Sequence, residues 1–122
     1  MAKKILIIED DPALSELLQK QLEAEGFEVF RSEDGETGLR LIQEKRPDLV
    51  ILDLILPKKH GFEILEELQK TQELKSVHIM VLTNLESRPE IERAFSLGVK
   101  HYLVKANYTV AEVAKRVQQL LA

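Results

Sequence analysis

The chain has no cysteine, which excludes disulfides and thiolate metal sites and fits a reducing cytosol. No apolar stretch reaches membrane-spanning length, and the N-terminus runs straight into an apolar strand pattern without a signal peptide. Basic residues are scattered; the longest clusters, Lys3-Lys4 and Lys58-Lys59, are too short for a nucleic-acid-binding stripe. Internal repeats, low-complexity tracts and linkers are also missing. What is present is 122 residues with a mild net charge of −4, 44% apolar and 31% charged. That is enough chain to bury one core. The expectation is a single cytoplasmic domain spanning residues 1–122, with no second or output domain visible.

Short apolar runs carry the strongest signal. Ile5-Leu6-Ile7-Ile8 delivers Glu9-Asp10, with Asp11 behind them, and Leu49-Val50-Ile51-Leu52 delivers Asp53. Runs of this kind suit parallel strands covered on both faces. Ligands bind such sheets just outside the strands' carboxyl ends. Two adjacent strands would then crowd three carboxylates into one mouth. Like charges that close repel unless a cation joins them, and oxygen-only ligands favour a hard ion such as Mg²⁺.

Helical and strand patterns alternate along the rest of the chain. Pro12 suits a first helical turn, Leu14, Leu17, Leu18 and Leu22 recur at helical spacing, and Gly26 stops that helix. Phe27–Phe30 alternates like a half-exposed edge strand. A second helix follows Asp34-Gly35, turns Leu39 and Ile42 inward and halts at Arg46-Pro47. Pro57 and Gly61 precede a third helix with Ile64, Leu65 and Leu68. Ile79–Leu82 forms a strand ending on Thr83. A helix from about Pro89 to Leu97 closes at Gly98. Tyr102-Leu103-Val104 ends on Lys105, and the last helix lines up Val110, Val113, Ala114, Val117, Leu120 and Leu121. Five strand–helix pairs in strict alternation imply an α/β fold, a doubly wound parallel sheet with helices on both faces. Asp10, Asp53, Thr83 and Lys105 all fall at strand carboxyl ends.

The order Glu9-Asp10-Asp11, Asp53 with Pro57 and Gly61, Thr83, then Tyr102-Leu103-Val104-Lys105 resembles the CheY-like receiver domain of two-component response regulators, over essentially the whole chain. The resemblance implies the flavodoxin-like strand order 2-1-3-4-5, which is also the order given for that family's best-known member in general accounts of doubly wound sheets. It implies that Asp53 is a phosphoacceptor, a carboxylate nucleophile giving an aspartyl phosphate. Asp10 would bind Mg²⁺ directly and Glu9 through water, with Asp53 and the Ile55 backbone carbonyl completing the ligands. Lys105 and Thr83 would hold phosphoryl oxygens, and Thr83 with Tyr102 would switch the surface of helix 4, strand 5 and helix 5. The implied partners are a sensor histidine kinase or phosphotransfer protein and an unnamed downstream target, with no nucleic acid or membrane. The chain would catalyse only its own phosphorylation and dephosphorylation.

Several residues depart from the family pattern. Ala106 follows Lys105 where proline is usual, which leaves either a strained non-proline cis bond, costing about 3 kcal/mol, or a rebuilt loop. Lys58-Lys59-His60 stands before Gly61 and puts basic residues near the acidic mouth, either as a solvated loop or as a bias on which kinase docks. Asn84 is larger than the usual residue after Thr83 and could narrow access to Asp53. Lys100-His101 replaces acids used in OmpR-type dimers, which disfavours that homodimer. Apolar Ile55 and Leu85 suggest slow hydrolysis of the phosphate. His60, His78 and His101 read as structural or solvated. Two other functions compete. A phosphorylation-independent interaction module would have been expected to lose one of Glu9, Asp10, Asp53, Thr83 or Lys105. An aspartate-nucleophile phosphatase would carry an acid where Ile55 stands.

Overall fold

The computed structural model describes residues 2–71 and 76–122. Five strands, β1 (Lys4–Ile8), β2 (Glu28–Ser32), β3 (Leu49–Leu52), β4 (His78–Thr83) and β5 (His101–Val104), form one parallel sheet in the order β2-β1-β3-β4-β5. Five helices alternate with them: α1 (Pro12–Ala24), α2 (Gly35–Lys45), α3 (Gly61–Lys70), α4 (Arg88–Ser96) and α5 (Val110–Leu121). The α/β fold and strand order agree with the expectation from sequence.

The central runs are apolar throughout because both faces of the sheet are covered. Ile5 and Ile7 join one core with Leu18, Leu22, Val113 and Val117, while Leu6 and Ile8 join the other with Ile42, Ile64 and Leu65. β2 is an edge strand and begins one residue later than its alternation suggested, running on to the buried Ser32. In α1 the inward stripe is Ser15, Leu18 and Leu22, with Leu14 packed beside it. Leu17, expected on that stripe, is 56% exposed. The α1 leucine spacing spans more arc than the one contact face, so the residue at its edge points to water.

Helix ends follow local chemistry. Asp11 caps α1, its Oδ1 accepting the Ala13 and Leu14 amides. Asp34 caps α2, and Thr109 and Glu112 form a reciprocal capping box at α5. Arg46 takes the left-handed conformation (φ 49°) that ends α2 before Pro47. The last helix buries Val113, Ala114 and Val117; Val110, Leu120 and Leu121 complete its stripe at the margin of the core. α4 is different, burying only Ala94, and its N-cap Ser87 accepts no backbone amide.

Candidate functional site

Parallel pairing in register brings the carboxyl ends of β1 and β3 together. Ile8 lies opposite Leu52, and the Asp53 amide donates to the Ile8 carbonyl at 3.0 Å. The residues that follow, Glu9-Asp10 and Asp53, therefore share one mouth. Their carboxylate oxygens lie within 4.8 Å of one another. Glu9 and Asp53 are buried, whereas Asp10 is exposed. Asp11 stands apart from this set as the α1 cap. Neither its role nor its exclusion was visible in the acid run itself; the helical spacing behind Pro12 was the available signal.

Lys105 enters the mouth from the end of β5. Its ammonium lies 2.6 Å from Glu9 Oε1 and 2.8 Å from Asp53 Oδ2. The substitution of Ala106 for proline is met by a rebuilt loop: Lys105–Asn107 form one 3₁₀ turn, and no peptide among the described residues is cis. Burial pushes the Glu9 carboxyl up to about 7; bonds from Lys105 and the Asp11 amide only partly oppose it, and the nearby Asp53 charge adds to the rise. For Lys105, burial alone would lower the ammonium, but its bonds to Asp53 and Glu9 outweigh that and hold it above its ordinary value. The amide of Ile55 donates to Asp53 Oδ1 at 3.1 Å, so both carboxylate oxygens of Asp53 are partnered.

The β3–α3 loop is held from two sides. Gly35 donates to the Pro57 carbonyl at 3.2 Å, and a Cβ there would come within 1.8 Å of the Lys59 carbonyl oxygen. A Cβ on Gly61 would lie 2.6 Å from the Leu54 Cα. The basic loop expected to be solvated is largely structural. Lys59 pairs with Glu67 at 2.5 Å, and His60 caps α3, accepting the Phe62 amide on Nδ1 while stacking on its ring. Lys58 is exposed in the left-handed region (φ 67°).

Thr83 and Tyr102 meet through a residue the sequence gave no reason to single out for this role. The Thr83 Oγ1 accepts the Leu85 amide at 3.4 Å, and the Tyr102 hydroxyl donates to the Leu85 carbonyl at 2.7 Å. Leu85 is thus gripped on both its peptide groups. Tyr102 is half-buried, and its phenol is pushed up to about 12 by burial and then by the Glu90 and Asp53 charges, so the hydroxyl stays a donor. Asn84, expected to crowd Asp53, is exposed.

A cluster made only of carboxylate oxygens, two of them from buried groups, fits a hard divalent cation and offers nothing to a soft one. The ammonium of Lys105 currently supplies the compensating positive charge for Glu9 and Asp53. No described helix is long and apolar enough to cross a membrane.

Comparison with known proteins matches residues 5–118 to the response regulator receiver domain. The chain is 37% identical over 118 residues to the "DNA-binding dual master transcriptional regulator RpaA" of Synechocystis, covering 97% of this chain and 48% of that protein. Among solved structures, the Mn²⁺-bound form of response regulator Rcp1 superposes with a TM-score of 0.82 at 31% identity, covering 97% of this chain and 91% of that one. The phosphorylated cyanobacterial phytochrome response regulator RcpA gives 0.83 at 29% identity, covering 98% and 91%. The chain spans about half the length of the curated relatives it matches. Its sheet order, its clustered acids and these matches agree, and the chain belongs to the response regulator receiver family.

Proposed function

We propose that the chain is a phosphoacceptor switch in which Asp53 takes a phosphoryl group from a phosphohistidine of a sensor kinase or phosphotransfer protein, or from a small donor such as acetyl phosphate. An Asp53 carboxylate oxygen forms the new bond to phosphorus as the bond to the donor atom breaks, the imidazole nitrogen of a phosphohistidine or the acyl oxygen of acetyl phosphate. The electron pair leaves with that nitrogen or oxygen, as imidazole or acetate. The observation that carries this reading is the placement of Asp53: 5% exposed, bonded at one oxygen by Lys105 and at the other by the Ile55 amide, beside two more acids.

Glu9, Asp10, Asp53 and the Ile55 carbonyl would hold Mg²⁺, which when bound neutralises charge on the transferring group. Lys105 keeps its ammonium at the reacting carboxylate and would follow the charge onto a phosphoryl oxygen. The Thr83 hydroxyl, now accepting from Leu85, would turn to donate to another. That movement would release the Leu85 amide while Tyr102 still holds the Leu85 carbonyl. The β4–α4 loop and α4 would then shift together, a population change between two arrangements. The chemistry is confined to the chain's own aspartate rather than to turnover of an external substrate.

Intact-mass spectrometry after incubation with acetyl phosphate and Mg²⁺ tests the reading. One added phosphoryl group is expected, dependent on the metal and lost in Asp53→Ala. An adduct that survives that substitution would overturn the assignment. So would failure of wild type to take up either phosphate or its stable beryllofluoride mimic.

A further inference from the structure

Helix α4 is tethered from the side as much as from the sheet. It buries only Ala94, and its N-cap Ser87 holds no backbone amide. Among the described residues, the side-chain bonds of α4 and its cap are internal with one exception. Ser87 bonds Glu90, Arg88 bonds Glu92, and Ser96 bonds the Arg93 carbonyl. Arg93 is the exception and reaches out toward α3. Its guanidinium carbon stands 4.3 Å from the centre of the Phe62 ring, and one of its nitrogens lies 3.7 Å from Glu66 Oε1. Further along α3, the Gln69 side-chain nitrogen lies 2.8 Å from where a Cβ on Gly98 would stand. Phe62, Glu66 and Gln69 recur at helical spacing, so one stripe of α3 faces α4 and its end.

The two ends of this tether differ in freedom. Phe62 is buried, as are Ile64, Leu65 and Leu68 along the same helix. Its ring stacks on His60, the α3 N-cap, and Gly61 between them leaves no room for a Cβ against Leu54. The α3 end is therefore fixed to the loop that follows Asp53. The α4 end has only Ala94 in the core. A guanidinium is attracted to a ring within about 6 Å of its centre, so a displacement that opened this gap by about 2 Å would end the attraction. The Glu66 contact is half-exposed at both partners and counts for little beside the stack. All of this belongs to the arrangement in which Thr83 accepts from Leu85 and Lys105 bonds Asp53. A contact made in one arrangement and lost in another biases the equilibrium toward the first, and a ligand of the second must work against it.

We propose that Arg93 is a positioning residue for phosphoacceptance: seated on Phe62, it latches α4 to α3 in the unphosphorylated arrangement and lowers the affinity of Asp53 for a phosphoryl group. This rests on the phosphoacceptor reading and adds to it a residue that touches none of the reacting atoms. Phe62 follows the loop that holds the carboxylates and Arg93 lies on the helix that answers them, so the stack spans the boundary between the two. Removing a residue that merely supported the fold would weaken the chain and its ligand binding together. Removing a latch tightens binding, because more of the population already stands in the competent arrangement.

Amide NMR titration of the full chain with beryllofluoride at saturating Mg²⁺ tests it. Arg93→Gln should bind about fivefold more tightly than wild type. Its α4 amides should exchange faster in the absence of beryllofluoride, while those of α1 keep their wild-type rates. Arg93→Lys keeps the charge but not the planar face, and should fall between the two. Glu66→Gln should stay within about twofold of wild type. Phe62→Leu removes the ring and should tighten binding in the same way, with Arg93→Gln adding nothing to it. The latch is overturned if wild type binds beryllofluoride and a folded Arg93→Gln binds it equally or more weakly. A Glu66→Gln variant as tight as Arg93→Gln would overturn the stack as its physical basis. If wild type itself takes up no beryllofluoride, the phosphoacceptor reading fails, and the latch with it.

Discussion

The two halves of the site are held in different ways. On the β1–β3 side, Glu9, Asp10 and Asp53 extend from strands whose core residues are fully or almost fully buried, and the following loops are locked by close backbone contacts at Gly35 and Gly61. On the β4–β5 side, Thr83, Leu85 and Tyr102 connect to α4, which buries one side chain and lacks a side-chain N-cap bond. Tight packing fixes an acceptor geometry; sparse packing leaves an element that a few hydrogen bonds can move. The same fold therefore gives a rigid chemical half and a compliant readout half.

The largest effect should come from breaking the rigid half. Gly35→Ala forces a Cβ into the Lys59 backbone and should cost about 3 kcal/mol in chemical denaturation. A variant as stable as wild type would remove the case for a locked β3–α3 loop. Lys105→Met takes the counter-cation from two buried carboxylates and should cost about 2 kcal/mol at neutral pH, part of it recovered with Mg²⁺. Recovery is measured by repeating the melt across a metal titration.

The pH dependence has a definite sign. With the folded Glu9 carboxyl at about 7 and an ordinary value of 4.5, the folded chain keeps a proton that the unfolded chain has lost between those values. This group's contribution to stability therefore falls as pH rises from 4.5 through 7. A divalent cation held by Glu9 would have to displace the same proton. Metal affinity should rise by about tenfold per pH unit below 7 and then level off. Calorimetry in buffers of different ionisation enthalpy should register proton release, and zero release at about pH 6 would count against Glu9 as a ligand.

Helix capping sharpens the comparison on a smaller scale. Thr109→Ala removes a capping box from α5 and should cost about 1 kcal/mol. Ser87→Ala at α4 should cost under about 0.5 kcal/mol, since the Ser87 hydroxyl bonds the Glu90 carboxylate rather than a backbone amide. Equal costs in thermal unfolding would erase the proposed difference between the helices.

Much of the site could be read from the chain because strand ends are legible. An apolar run that stops on a polar or charged residue places that residue at a sheet's carboxyl edge, and Glu9, Asp10, Asp53, Thr83 and Lys105 are each placed by that logic. Long-range contacts could not be read so directly. Nothing in the order Asp34-Gly35 announces a backbone approach to Lys59, and His60 gives no local sign that it will cap a helix through Nδ1. Leu17 shows the limit of spacing arguments: period identifies a helix, but only packing decides which edge of its stripe is covered. The exchange of proline for Ala106 left two loop geometries open, and the 3₁₀ turn with Lys105 on Asp53 settles which one this chain adopts.

Hydrogen exchange of the wild-type chain with Mg²⁺, with and without beryllofluoride, tests the division between halves most directly. The account predicts that amides from Thr83 through Tyr102 change protection, led by Leu85 and α4, while α1 and the cores of β1 and β3 stay unchanged. Changes confined to the immediate neighbours of Asp53, or spread evenly over all five helices, would contradict it.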